Sequence, residues 1–393
     1  MIPAVVRATF DVLSGAGAAP DLSHEQWNDL LAFTDRFQLT LHLRDAYGLP
    51  SRVGAEIEER LAKNRTRRER LREAFQGVAQ ALNAAGVEFV LLKGFTHESG
   101  FGINAENRLQ YDLDFLCRPE DRARACLAFR ETGYVPHQGK SLSPEHSRPF
   151  VRPFDWKWRG DYYDPEIPIS LELHDTIWDP EQDRIRIGTA AFWRRRTMFS
   201  IDGIAVPALC EADRLGFAAL HLLRHVLRND ARPAHAFELA RFLLAHGDDE
   251  SFWAGWRSLR NPHLRTLELT GLRFAAEWFG VPNKLAPAGC LPENVEAWFQ
   301  HFAWSPIANL AGGNKDVVWL HLALLENWRD RAAVLRRRLA PLRLPHQDAS
   351  FAERLRYHAA ALAPALSSGL RWRLRRNTVS TAPQISDWKR GSV

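Results

Sequence analysis

Three acids in this chain stand where acids are unusual. Asp112 and Asp114 lie in the run DLDFL, and Glu172 lies in SLELH, 58 positions beyond Asp114 (172 − 114 = 58). Leu113, Phe115 and Leu116 around the first pair read as a buried strand, whose period of two sends both aspartates to one face. Carboxylates held that close repel one another and resist burial unless a cation or protons compensate. A divalent metal is the compensation this pattern favours, and hard oxygen donors suit Mg2+. Three carboxylates from neighbouring strands can hold two such ions, one activating an attacking hydroxyl and the other steadying a leaving pyrophosphate. A DxD also arises in surface turns, so the apolar flanks are what single this one out.

A second feature lies upstream. The apolar run at 87–92 stops at Lys93-Gly94 and gives way to FTHESGFG. A glycine that ends a strand and opens a helix lets backbone N–H groups approach a phosphate, and Lys93 adds a point charge. Lys-Gly after an apolar run recurs by chance, so the turn has weight only beside the acids. His174 shares a strand face with Glu172 and either touches a phosphate, orients an acceptor or is structural. His221 and His225, at i and i+4, are a conceivable ligand pair. With no acid at metalloprotease spacing, packing is the favoured reading for them.

The elements that must position these residues fall into blocks. Residues 1–85 read as helical, with Ser23 and Gln26 as a helix-start pair. The pattern at 56–85 is amphipathic, and its basic half, KNRTRRERLRE, reads as a solvated face. In 86–206, short apolar runs alternate with turns: strands are expected at 87–92, 112–116, 134–136, 150–158 and 167–174, with a helix at 119–132. From 207 the pattern is helical, at 211–227, 234–245, 252–259, 264–279, 295–302, 317–339 and 351–362, with proline-rich joints at 282–287 and 341–345. The expected organisation is an α+β chain. It has an N-terminal helical region (1–85), a small mixed-sheet catalytic domain (86–206), a C-terminal helical domain (207–376) and a flexible tail (377–393).

The totals exclude some classes. Of 393 residues, 46% are hydrophobic and 25% charged, enough apolar material for a sizeable core. A net charge of +5 is too small for a protein that coats nucleic acid. Its surplus is local, in Arg336-Arg337-Arg338 and in the arginines of 371–376, for which solvated helix faces are the favoured reading and a phosphate or anionic-lipid contact the alternative. Cys117, Cys126, Cys210 and Cys290 show neither a CxxC nor a zinc-ligand spacing. No uninterrupted apolar run reaches the roughly 18 residues of a membrane span, and Arg7 and Asp11 break up the N-terminus, so a soluble, cytoplasmic protein is expected.

The order LLKG, Arg108, DLD, LELH resembles the uncharacterised bacterial nucleotidyltransferases of the polymerase-β-like superfamily, whose pattern is roughly LLKG…R-P-x-x-D-x-D…E-x-H-W. The stretch HLLRHVLRNDARPAHAFELARFL is similar to the segment that follows the catalytic domain there, so the resemblance covers about residues 10–250. It implies a metal-binding pair in Asp112 and Asp114, with Glu172 as third acid on the side of the attacking group. Lys93 and Gly94 would stand in for the superfamily's glycine-serine phosphate turn, and Arg108 would face the site or lock its loop. The chain departs from the pattern at Leu109, at Asp175 and in the loop GINAEN, which lacks a tyrosine-proline element. The implied reaction moves an NMP group from an NTP to an unidentified acceptor and releases pyrophosphate, using two Mg2+ ions, with Mn2+ as a substitute. A small molecule, a peptide or protein, and an RNA end all remain as acceptors. Two other readings are a non-catalytic nucleotide- or peptide-binding module and a DxD glycosyltransferase. The last calls for a longer, doubly wound domain ahead of the DxD.

Overall fold

A computed structural model describes residues 2–15, 19–98, 100–137, 149–201, 203–310 and 315–339. The expected helix at 351–362, the joint at 341–345, the arginines of 371–376 and the tail at 377–393 lie outside the described residues. Helices α1 (Ala4–Leu13) and α2 (His24–Arg36) precede the 34-residue α3 (Ser51–Ala84). The start of α2 is the expected reciprocal cap: the Gln26 N–H donates to Ser23 Oγ, and the Ser23 N–H donates to Gln26 Oε1.

After α3 come β1 (Phe89–Leu91), β2 (Asp112–Cys117), α4 (Arg122–Glu131), β3 (Val135–Pro136), β4 (Phe150–Val151) and β5 (Ser170–His174). Two short helices, α5 (Pro180–Asp183) and α6 (Ala190–Arg194), lead to the hairpin β6 (Thr197–Ile201) and β7 (Ile204–Ala208). The seven strands form one mixed sheet in the order β3-β4-β5-β2-β1-β7-β6. At its centre β2 runs antiparallel to β1 and parallel to β5.

Two expectations about the sheet change. The strand expected at 150–158 stops at Val151, because Pro153 has no N–H for a ladder and the Trp156 indole N–H goes instead to Asp164 Oδ2 at 2.8 Å. Its alternating aromatics are not core alternation, since Phe154 and Trp158 are exposed. The β6–β7 hairpin was not anticipated, although Asp202-Gly203 is a two-residue hairpin signal.

Beyond the sheet the chain is helical: α7 (Glu211–Leu227), α8 (Pro233–His246), α9 (Glu250–Ser258), α10 (Pro262–Trp278), α11 (Glu293–Phe302), α12 (Ser305–Ala308), α13 (Asp316–Leu324) and α14 (Trp328–Leu339). The single helix expected at 317–339 is two helices. Asn327 Oδ1 caps the second by accepting from the Asp330 N–H at 2.9 Å. Helices α7 and α10 cross at Gly271, where a Cβ would fall 2.1 Å from the Ala219 carbonyl oxygen. No helix among the described residues is long and apolar enough to cross a membrane.

The sheet separates two cores. On one face Leu113 and Phe115 of β2 and Leu171 and Leu173 of β5 pack on Phe75, Val78 and Leu82 of α3 and on Phe129 of α4. The larger core joins α1, α2 and the first half of α3 to α7–α14, with the Phe10 ring 5.0 Å from that of Phe279. The acids point to the side of the sheet that faces these later helices.

Candidate active site

The long helix α3 fixes the loop that delivers the acids. Its basic half is not wholly solvated: Asn64 and Arg67 are buried. Asn64 Nδ2 donates to the carbonyls of Glu106 at 2.7 Å and Arg108 at 3.1 Å. Arg67 Nε donates to the Gln110 carbonyl and Nη1 to the Ile167 carbonyl, both at 2.7 Å. One arginine thus holds the entries to β2 and β5 together. Backbone carbonyls that would otherwise be buried without partners are satisfied there by a charged donor.

The strands then set the spacing. Register places Asp112 beside Ser170, Asp114 beside Glu172 and Leu116 beside His174. Lys93, just past β1, brings Nζ to 3.2 Å from Asp112 Oδ2 and 3.3 Å from Asp114 Oδ2. His174 Nε2 donates to Asp114 Oδ1 at 3.0 Å and lies 3.8 Å from Glu172 Oε2. Three sequence-predicted polar residues, Lys93, Glu172 and His174, therefore meet the aspartate pair around one point.

The electrostatics divide these groups. Burial opposes ionisation of Asp114, but the Lys93 ammonium and the His174 hydrogen bond outweigh it and hold the carboxyl well below the usual range. Burial also acts against the charge on Lys93, and Asp112, Asp114 and Glu172 outweigh it, holding the ammonium well above its usual range. Glu172 goes the other way. Burial, then the charges of Asp114 and Asp112, push it up to about 8. A cation arriving beside it would oppose that upward push.

Gly94 has a packing role as well as a backbone one. Its φ is +73°, and a Cβ would sit 2.2 Å from Gln110 Nε2. Gln110 in turn donates to the Asp112 carbonyl at 2.6 Å and accepts from Arg108 Nη1 at 3.3 Å. Arg108 both lines the cleft and locks the loop: its Nε donates to Glu238 Oε1 of α8 at 2.8 Å. The other oxygen of Glu238 meets His97 Nδ1 at 2.7 Å. Asp175 points to the opposite side of β5 and pairs with Arg122 of α4 at 2.5 Å.

The wall across from the acids carries imidazoles and guanidiniums. A cleft of about 530 Å³ is lined on one side by Lys93, Asp112 and Glu172 and on the other by His221, Arg224, His225, Arg228 and His235. His221, Arg224 and His225 of α7 and Arg228 just past its end fall at i, i+3, i+4 and i+7, a polar stripe on a stretch that from Leu215 onward is otherwise buried and apolar. That stripe was legible in HLLRHVLR and was read only as a histidine pair. Glu238 and His235 gave no such signal, because their roles depend on how α8 lies against α7.

The donor set suits a hard divalent cation. Asp114 Oδ2 is buried and has no hydrogen-bond partner among the described residues, its contact with Lys93 lacking hydrogen-bond geometry. Ligand atoms of Asp114, Glu172 and His174 lie within 4.8 Å of one another. Asp112, Asp114 and Glu172 would hold the ion, while His174, whose hydrogen goes to Asp114, orients a ligand.

No curated protein and no solved structure matches the chain. The family model described as "Uncharacterised nucleotidyltransferase" matches residues 23–280, which span α2 to just past α10 and include every residue of the site. A mixed-sheet domain with flanking helices, acids abreast at its centre and a match over about two thirds of the length agree: the chain belongs to this nucleotidyltransferase family.

Proposed function

We propose that the protein transfers an NMP group from an NTP to an acceptor hydroxyl or amine, releasing pyrophosphate, with Mg2+ held by Asp112, Asp114 and Glu172. The observation that carries this is the two-signed cleft: carboxylates on β2 and β5 share a space the size of a nucleotide with Arg108, Arg224 and Arg228. A metal-bound triphosphate needs both, oxygen ligands for the cation and guanidiniums for the phosphate oxygens. Bound Mg2+ would neutralise charge on the phosphates and lower the proton affinity of the attacking group.

The chain's own part in this reading is positional and electrostatic. His174 keeps Asp114 turned towards the cleft. Lys93 neutralises the aspartates and is close enough to exchange that contact for a phosphate oxygen. Arg67 and Asn64 keep the loop from shifting when substrate arrives. The glycosyltransferase reading has no support, since α1–α3 stand where it needs a doubly wound domain.

Asp112→Ala tests the proposal. Asp112 is only half-buried, so the variant is expected to fold, and NTP-dependent NMP labelling in cell extract should fall to background. Labelling at the wild-type level would overturn the assignment. A non-catalytic nucleotide-binding role is the second reading, favoured by one feature: Lys93 already balances the aspartates without a metal. Calorimetry that shows NTP binding with no labelled product under any condition would select it.

A further inference from the structure

Three imidazoles meet on the wall opposite the acids. His221 and His225 stand one turn apart on α7, and His235 reaches them from the first turn of α8. One ring nitrogen of each lies within 4.8 Å of the others. Two imidazole nitrogens bound to a tetrahedral zinc at about 2.0–2.1 Å would stand about 3.3 Å apart. His221 Nε2 and His225 Nε2 are 3.1 Å apart.

The surroundings favour ligation. His225 Nδ1 meets Asp230 Oδ2 at 3.1 Å, the carboxylate–imidazole pairing that fixes a ligand's tautomer and leaves Nε2 with its lone pair. Nearby guanidiniums are matched by carboxylates: Arg108 by Glu238, Arg228 by Asp183 and Arg232 by Asp230. We propose that His221, His225 and His235 form a second metal site, selective for Zn2+ or a similar transition ion, with its remaining coordination position open to the cleft. Imidazole donors prefer such ions, whereas the carboxylates across the cleft prefer Mg2+, so one cleft can hold two chemically distinct metals.

Without the ion the imidazoles satisfy one another. Arg224 Nη2 donates to His221 Nδ1 at 2.8 Å, so the His221 hydrogen is on Nε2 and is given to His225 Nε2. Zinc uptake moves that hydrogen to Nδ1 and turns Arg224 away. No proton is released in the exchange.

The test is zinc titration of the full chain, carrying no polyhistidine tag, against a chromophoric chelator, with Co2+ as a spectroscopic substitute. Wild type should bind one zinc in this site and give the intense visible bands of tetrahedral Co2+. His235→Gln and His225→Gln should weaken zinc by at least about 100-fold, and Asp230→Asn by about tenfold. Asp114→Asn should bind zinc as wild type does. Absence of stoichiometric zinc in wild type, wild-type affinity in His235→Gln, or loss of zinc in Asp114→Asn would each overturn the site. Should the histidine variants not fold, Asp230→Asn decides it, because that side chain is exposed. Unchanged affinity there would then count against the proposal. None of these readouts depends on nucleotidyl transfer.

Discussion

Asp114 and Glu172 lie directly abreast on the parallel strands β2 and β5, although 58 residues separate them in the chain (172 − 114 = 58). A slip of one residue in that register would turn one acid into the packed face of Phe75 and Phe129 and break the pair. The register therefore decides whether the two acids share one face of the sheet. Arg67, which grips the strand entries at Gln110 and Ile167, is what fixes it from the side.

Glu172→Gln should trade activity for stability. The wild-type side chain is destabilised as an anion by burial and by the aspartates beside it, and the amide removes that conflict. The thermal midpoint should hold or rise, while NTP-dependent labelling falls by on the order of 100-fold or more. Labelling within twofold of wild type would remove Glu172 from the site.

Chelation gives an independent check on the carboxylates. EDTA should stop transfer, and Mg2+ or Mn2+ should restore it. Because an ion that binds only the folded state stabilises it by mass action, millimolar Mg2+ should also raise the thermal midpoint. That increase should vanish in Asp112→Ala. An equal increase in both proteins would mean that the ion binds elsewhere.

Arg67→Met should damage both folding and the site. It leaves the Gln110 and Ile167 carbonyls without their donor in a dry environment, a loss of about 3 kcal/mol. Urea unfolding would measure it. Any folded fraction should show reduced kcat, since the entries to β2 and β5 are no longer tied together. A variant as stable as wild type would show that the contact is dispensable.

Two buried imidazoles should cost stability on acidification before the carboxylate range is reached. Burial pushes the imidazoles of His42 and His321 down to about 4, against 6.5 for an exposed ring. Between those values these two sites bind more protons in the unfolded chain than in the folded one. Their share of the stability is therefore lost as pH falls from about 6.5 to 4, against the opposite contribution of Glu172. For His321 the shift corresponds to about 3 kcal/mol once the pH is below 4. His321→Gln can keep a donor to the Asp183 carbonyl, which His321 Nε2 reaches at 2.8 Å, and its midpoint should be less sensitive across that window. Equal slopes for the two proteins would place the acid sensitivity elsewhere.

Much of this was visible in the order of residues. Acids within DLDFL and SLELH are anomalies that periodicity alone exposes, because a strand sends alternate side chains to one face. The capped start of α2 and the run of helices from Glu211 onward are likewise local, set by hydrogen bonds and apolar spacing a few residues long. The misread places are those where a side chain was reserved for a distant partner. Asn64 and Arg67 looked like part of a solvated basic stripe until the loop at 106–110 was laid against them. Trp156 completed an alternating pattern, yet its indole bonds to Asp164.

The sequence by itself marked Asp112, Asp114 and Glu172 as anomalous acids beside a lysine-glycine turn, and determined that α+β elements would carry them. Tertiary structure alone decided the pairing of Asp114 with Glu172, the placement of Lys93 between the aspartates, and the meeting of His235 with His221 and His225. Periodicity is a property of a few consecutive peptide units. Register and helix crossing are fixed by packing between segments tens of residues apart, which no local pattern encodes.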